Sequence, residues 1–173
     1  MDLSVKIRDE IIKDVKVRIF DECFPRIRQC VGLINENQLW HRSNENSNSI
    51  GNLILHLCGN IRQYIVSGIG GAKDVRERHL EFSEPGPLSH DHLNNLMKDL
   101  LKDVSNVLEK IKAEDLILIK EVQGFTMSVT SILIHVTEHL SYHTGQIAFY
   151  TKQIKDVDLK FYGDMDLDVR SVE

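Results

Sequence analysis

This sequence has little cysteine, little proline and no long apolar run. Its three cysteines, Cys23, Cys30 and Cys58, are odd in number and form no CxxC pair. That argues against a disulfide framework and suits free thiols in a reducing cytosol. Three prolines among 173 residues leave few helix breakers. No segment approaches the roughly 18 consecutive apolar residues of a membrane-spanning helix, so none is expected. Met1-Asp-Leu-Ser-Val-Lys-Ile-Arg-Asp-Glu10 is charged throughout and lacks the apolar centre of a signal peptide. The expected location is therefore the cytoplasm. A basic excess is missing too: the net charge is -5 and the pI about 5.9. A nucleic-acid binder usually carries a basic face, so no nucleic-acid partner is expected. There is no HExxH, P-loop, GxSxG elbow or GxGxxG following a strand.

What is present is ordinary globular material. Hydrophobic residues make up 42% and charged residues 27%, which suits one domain spanning 1–173 around one core. Val5, Ile12, Ile19, Cys23, Ile27, Cys30 and Ile34 recur at steps of three, four and seven. They predict a first helix over about 3–34, kinked or restarted at Pro25. Residues 35–48 are polar and read as a loop. A second helix is expected from an N-cap at Ser47 or Ser49 to about Ser67, stopped by Gly68, Gly70 and Gly71. A long connection then runs over 69–88 and contains Pro85-Gly-Pro87. The third helix spans about Ser89 to Lys112, with Leu93, Leu96, Leu100, Val104 and Leu108 on its apolar face. Residues 116–122 are rich in β-branched side chains and read as a short extended segment. The fourth helix runs from about Ser128 to Gln153. The tail beyond 155 is expected to be irregular, anchored by Phe161 and Tyr162. The expected fold is all-α, a four-helix bundle with a long connection between helices two and three.

The fourth helix carries His135-Val-Thr-Glu-His139-Leu-Ser-Tyr-His143. Residues four apart on a helix share a face, so His139 and His143 can aim two imidazoles at one point. Imidazole is the commonest protein ligand for a transition metal. The candidate third ligand is His56, set among Leu53, Ile54, Leu57 and Ile61 in mid-helix two. Facing helices would close a three-histidine site with a fourth position left for water or substrate. The competing reading is that all three are hydrogen-bonded core histidines. Zinc, nickel, iron and copper all accept imidazole, so the ligands alone do not choose the metal. His135 reads as a supporting or packed residue. Gln146, one turn beyond His143, either lines the site or meets solvent. Asn60, four residues after His56, is placed to orient a ligand or substrate. Arg62, Arg76 and Arg78 suit an anionic substrate or are simply ion-paired. Cys58 lies about 200° around the helix from His56 and reads as a small core residue.

The pattern His-x3-His-x3-His-x-Gly-Gln-Ile, with a lone histidine on helix two, resembles the DinB-like (YfiT-like) superfamily of metal-dependent enzymes. Asn48–Gln63 resembles a bacterial subgroup of unassigned function. Asp74-Val-Arg-Glu-Arg78, Glu81-Phe82, Gln123-Gly-Phe125 and Phe161-Tyr162 fit as well, so the likeness covers most of 20–163. It implies an up-up-down-down-type four-helix bundle that is often a homodimer. It implies nickel or zinc held by His56, His139 and His143. It further implies a small-molecule substrate, with a low-molecular-weight thiol as one class, and thiol-dependent transferase or hydrolase chemistry. The alternative is a stress-related helical bundle that binds a metal or ligand without turnover.

Overall fold

The computed structural model describes residues 2–163 and 165–170. It is mostly helical. Helix α1 (Leu3–Lys16) continues through a π-helical stretch (Val17–Cys23) into α2 (Phe24–Leu33). Pro25 therefore does not end the helix. It sits in the first turn of α2, where the π-helical stretch gives way to α-helix. A short α3 (Glu36–Trp40) follows, closed by a capping box between Asn35 and Gln38. This corrects the expectation of a plain loop over 35–48: the polar composition hid an N-cap signal.

Helix α4 (Ile50–Ile61) starts at Ser49, whose side chain accepts from the Asn52 N–H, and runs on as a π-helical stretch (Arg62–Ile69). The long connection is not structureless, because it contains α5 (Arg78–Ser83). Helix α6 (His90–Leu108) is capped by Ser89, and α7 (Val129–Lys155) by Ser128.

The all-α expectation needs one correction. Strands β1 (Ile119–Val122) and β2 (Phe125–Ser128) form an antiparallel hairpin, with Val122 opposite Phe125. The two residues between them, Gln123 and Gly124, have φ of 53° and 80°. Two left-handed residues in succession make the tight turn that matches strand twist. The hairpin is tied to α4's extension, where Tyr64 Oη donates to Gln123 Oε1 at 2.9 Å.

Among the described residues, the longer helices share one core. Their contributions include Ile19, Ile27, Ile61, Met97, Leu100, Leu133 and Leu140, all buried. Helix α7 packs on α2 and α4, and α6 packs on α4 and its extension. That puts the inward faces of α4 and α7, with their histidines, against each other. Phe161 packs on this core as expected, whereas Tyr162 is 54% exposed. Among the described residues no helix is long and apolar enough to cross a membrane.

Candidate metal centre

Helix α4 is apolar almost all round and is buried accordingly, with His56 only 5% exposed. Helix α7 presents one stripe, His135–His139–His143, toward it. The ring nitrogens meet. His56 Nε2 lies 3.1 Å from His139 Nε2, and His143 Nε2 lies 3.2 Å from the same atom. One ligand nitrogen from each of the three falls within 4.8 Å of the others. The three histidines expected as ligands are thus brought together, and no fourth His, Cys, Asp or Glu joins them among the described residues.

The outer nitrogens decide what this convergence means. His56 Nδ1 is 2.9 Å from Glu81 Oε2, a carboxylate that can only accept when ionised. His143 Nδ1 is 2.7 Å from Gln146 Oε1, also an acceptor. Both imidazoles are therefore held as Nδ1–H, which leaves their Nε2 lone pairs facing His139. A neutral His139 has one proton. On Nε2 it could answer only one of those two lone pairs and on Nδ1 it answers neither, and burial, with His143 and His56 beside it, pushes its pKa down to about 3. Burial also lowers the His143 pKa. A second proton is not available near neutral pH, whereas one cation satisfies all three lone pairs at once. The donor set fits a divalent transition metal.

The support around His56 is the part that sequence reasoning missed. Glu81 is buried and would by that alone rise in pKa. The Arg76 and His56 hydrogen bonds outweigh burial and hold it below the ordinary carboxylate range. Arg76 forks onto it, with Nε 2.7 Å from Oε1 and Nη2 2.8 Å from Oε2. Nη2 also comes 3.2 Å from His56 Nδ1. Its nearer contact is the carboxylate, which leaves the ring proton on His56 to donate to Glu81. Arg76 Nη1 donates to Gln63 Oε1, and Gln63 in turn donates to Asp74. A carboxylate–histidine pair of this kind fixes ring orientation and raises the basicity of the ligating nitrogen.

Two features bring Glu81 to His56. Asn52, fully buried in α4's first turn, donates to the carbonyls of Glu81 and Glu84 at 3.0 and 2.9 Å, so α5 is pinned against α4. Gly59, one turn beyond His56, leaves the room. A Cβ there would stand 1.9 Å from Glu81 Oε1. The sequence signal was available in principle: an unpunctuated glycine inside a helix marks a close approach.

The three candidate arginines separate. Arg62 pairs with Asp103 at 2.9 Å, Arg76 belongs to Glu81, and Arg78 lies over the Phe82 ring, 4.8 Å from its centroid. Phe82 packs on His56, with ring centroids 4.7 Å apart. Cys58 is buried, and burial pushes its thiol up to about 12, so it is an inert core residue as expected. His135 supports rather than ligates: its ring packs 4.6 Å from Tyr64 and 5.7 Å from His139. A cavity of about 370 Å³ lies beside Arg76 and Glu81, between α4, α5 and α6, but none of the three histidines lines it.

Known proteins place the fold. A family described as "Protein of unknown function (DUF1572)" matches residues 9–163. A DinB-like protein from Bacillus subtilis superposes with a TM-score of 0.64 at 17% identity, covering 88% of this chain and 97% of its own. Another from Bacillus cereus gives 0.62 at 18%, covering 78% and 87%. At these identities the likeness establishes the DinB-like fold. Comparison with curated proteins finds no match.

Proposed function

We propose that this chain, which belongs to the DUF1572 family of proteins of unknown function, is a metal-dependent enzyme. It is read as a four-helix bundle of DinB type that holds nickel or zinc through His56, His139 and His143. The observation that carries this reading is the meeting of three Nε2 atoms, two of them on rings fixed as Nδ1–H. Three protein donors with no fourth among the described residues leave an open position, the arrangement of catalytic rather than structural sites. When bound, the ion supplies Lewis acidity and lowers the pKa of a water or thiol at that open position.

The chain's own residues then have defined tasks. Glu81 and Arg76 keep His56 in one tautomer and one orientation. Gln146 does the same for His143. Phe82 covers the His56 ring and shields it from water. The substrate is a small molecule, with a low-molecular-weight thiol the first class to test. The chemistry is thiol-dependent transfer or hydrolysis, carried out by a cytoplasmic homodimer.

The deciding experiment is metal content of the purified, untagged protein by elemental mass spectrometry, with His139→Ala beside it. About one nickel or zinc per chain in the wild type and almost none in the variant supports the site. No metal in either, after reconstitution with both ions, overturns it. Thiol-transfer and small-ester or amide hydrolysis assays on loaded protein then test catalysis. Inactivity with every metal would count against the enzyme reading.

A further inference from the structure

His56 and His143 each have an acceptor for the outer ring nitrogen, but His139 does not. Its Nδ1 is buried and makes no hydrogen bond among the described residues. A ligating histidine almost always donates that N–H to something, and a buried donor without a partner costs roughly 1–3 kcal/mol. A second buried atom has the opposite need. Asn60 is 3% exposed, and its Oδ1, an acceptor, makes no hydrogen bond either.

The helices place the two opposite each other. His56 on α4 meets His139 on α7, and Tyr64 in α4's extension meets His135, its ring centroid 4.6 Å away. Moving forward along one helix is moving backward along the other. Asn60 is four residues from both His56 and Tyr64, so it sits on that same stripe, facing the interval between His139 and His135. Helical side chains lean toward the N-terminus, which brings the Nδ1 edge of His139 over the turn of His135. An orphaned ring nitrogen and an orphaned acceptor thus fall on facing turns of α7 and α4 without bonding directly. Buried polar atoms left without a protein partner are where proteins keep an ordered water.

We propose that Asn60 is the positioning residue for His139, acting through one buried water that accepts from Nδ1–H and donates to Asn60 Oδ1. Asn60 thereby holds His139 as the Nδ1–H tautomer, with the Nε2 lone pair turned to the metal. Each of the three ligands then has its own orienting group: Glu81 for His56, Gln146 for His143 and Asn60 for His139. The inference rests on the metal reading above, but its first readout does not need the metal.

The test is the His139 tautomer in metal-free protein at neutral pH, read from imidazole ¹⁵N shifts and assigned by comparison with His139→Gln. The wild type is expected to show Nδ1–H. Asn60→Leu, which keeps the bulk and removes the acceptor, is expected to shift His139 toward Nε2–H. It should also weaken zinc binding 10- to 100-fold, the usual cost of losing such a partner. Asn60→Asp retains an acceptor and is expected to keep the tautomer and restore most of the affinity. An Nε2–H tautomer in the wild type overturns the proposal. So does an Asn60→Leu protein, folded by circular dichroism, with unchanged tautomer and zinc affinity. If the wild type binds no zinc or nickel at all, the metal reading fails, and the tautomer comparison still decides whether Asn60 orients His139.

Discussion

Gly59→Ala separates metal support from fold stability within one side chain. The added Cβ would stand 1.9 Å from Glu81 Oε1 and 3.1 Å from Arg76 Nε. An unstrained non-bonded contact needs about 3.5 Å, so the carboxylate must retreat by roughly 1.5 Å. It cannot carry its backbone along, because Asn52 holds the Glu81 and Glu84 carbonyls. The 2.9 Å contact with His56 Nδ1 is therefore lost. Losing such a partner costs about 10- to 100-fold in metal affinity, or about 1.4–2.7 kcal/mol. Alanine meanwhile favours the helix over glycine by about 0.5–1 kcal/mol, which offsets part of the strain in the metal-free fold. The expected result is a metal-free protein that still folds, with a modest net loss of stability in urea, and that binds zinc at least tenfold more weakly in a chelator competition. Gly32→Ala is the control, because a Cβ there meets nothing within 4 Å; it should gain the helix term and leave zinc binding unchanged. A folded Gly59→Ala protein with wild-type zinc affinity would refute the argument that Glu81 must sit where it does.

Three further outcomes are expected. The depressed pKa values of His139 and His143 mean that the unfolded chain binds more protons than the folded one below the ordinary histidine pKa of about 6.5. Stability of the metal-free protein should be complete above that pH and fall as pH drops toward about 3, the His139 value. Thermal melts of wild type and His139→Ala should converge as the pH is lowered, and parallel profiles would refute the assignment. Glu81→Leu strands the Arg76 guanidinium, whose side chain is 5% exposed, and should cost roughly 3–5 kcal/mol in urea unfolding; a loss below about 1 kcal/mol would show that Arg76 finds water instead. Met97→Ala, at a fully buried position of α6, should cost roughly 2–5 kcal/mol while zinc stoichiometry, measured on folded protein, stays the same.

The long helices and the histidine pair on α7 were legible because both follow from period; His56 stood out only by its place among apolar residues in mid-helix. Leu93, Leu100, Val104 and Leu108 announce α6 at helical spacing, Ser49, Ser89 and Ser128 announce three helix starts, and His139 with His143 announces a shared face. The hairpin was half legible. Its β-branched residues stood out, but Gln123-Gly124 is a weaker turn signal than Asn-Gly, and β1 needs β2 to exist at all. Helix α5 was not legible: six residues carry too little periodicity to stand out, and α5 is held in place by Asn52 from another helix.

Helical period, the caps and the His139–His143 pair are written locally in the chain, by residues within a turn or two of one another. Packing alone determines that Arg76 serves a carboxylate rather than a substrate, that Glu81 fixes the His56 tautomer, and that Gly59 must be small. Each of those depends on atoms from segments 5 to 25 residues apart meeting at hydrogen-bond distance. The convergence of His56 with His139 spans 83 positions. No local pattern encodes such a contact, because it exists only once the core has packed α4 against α7.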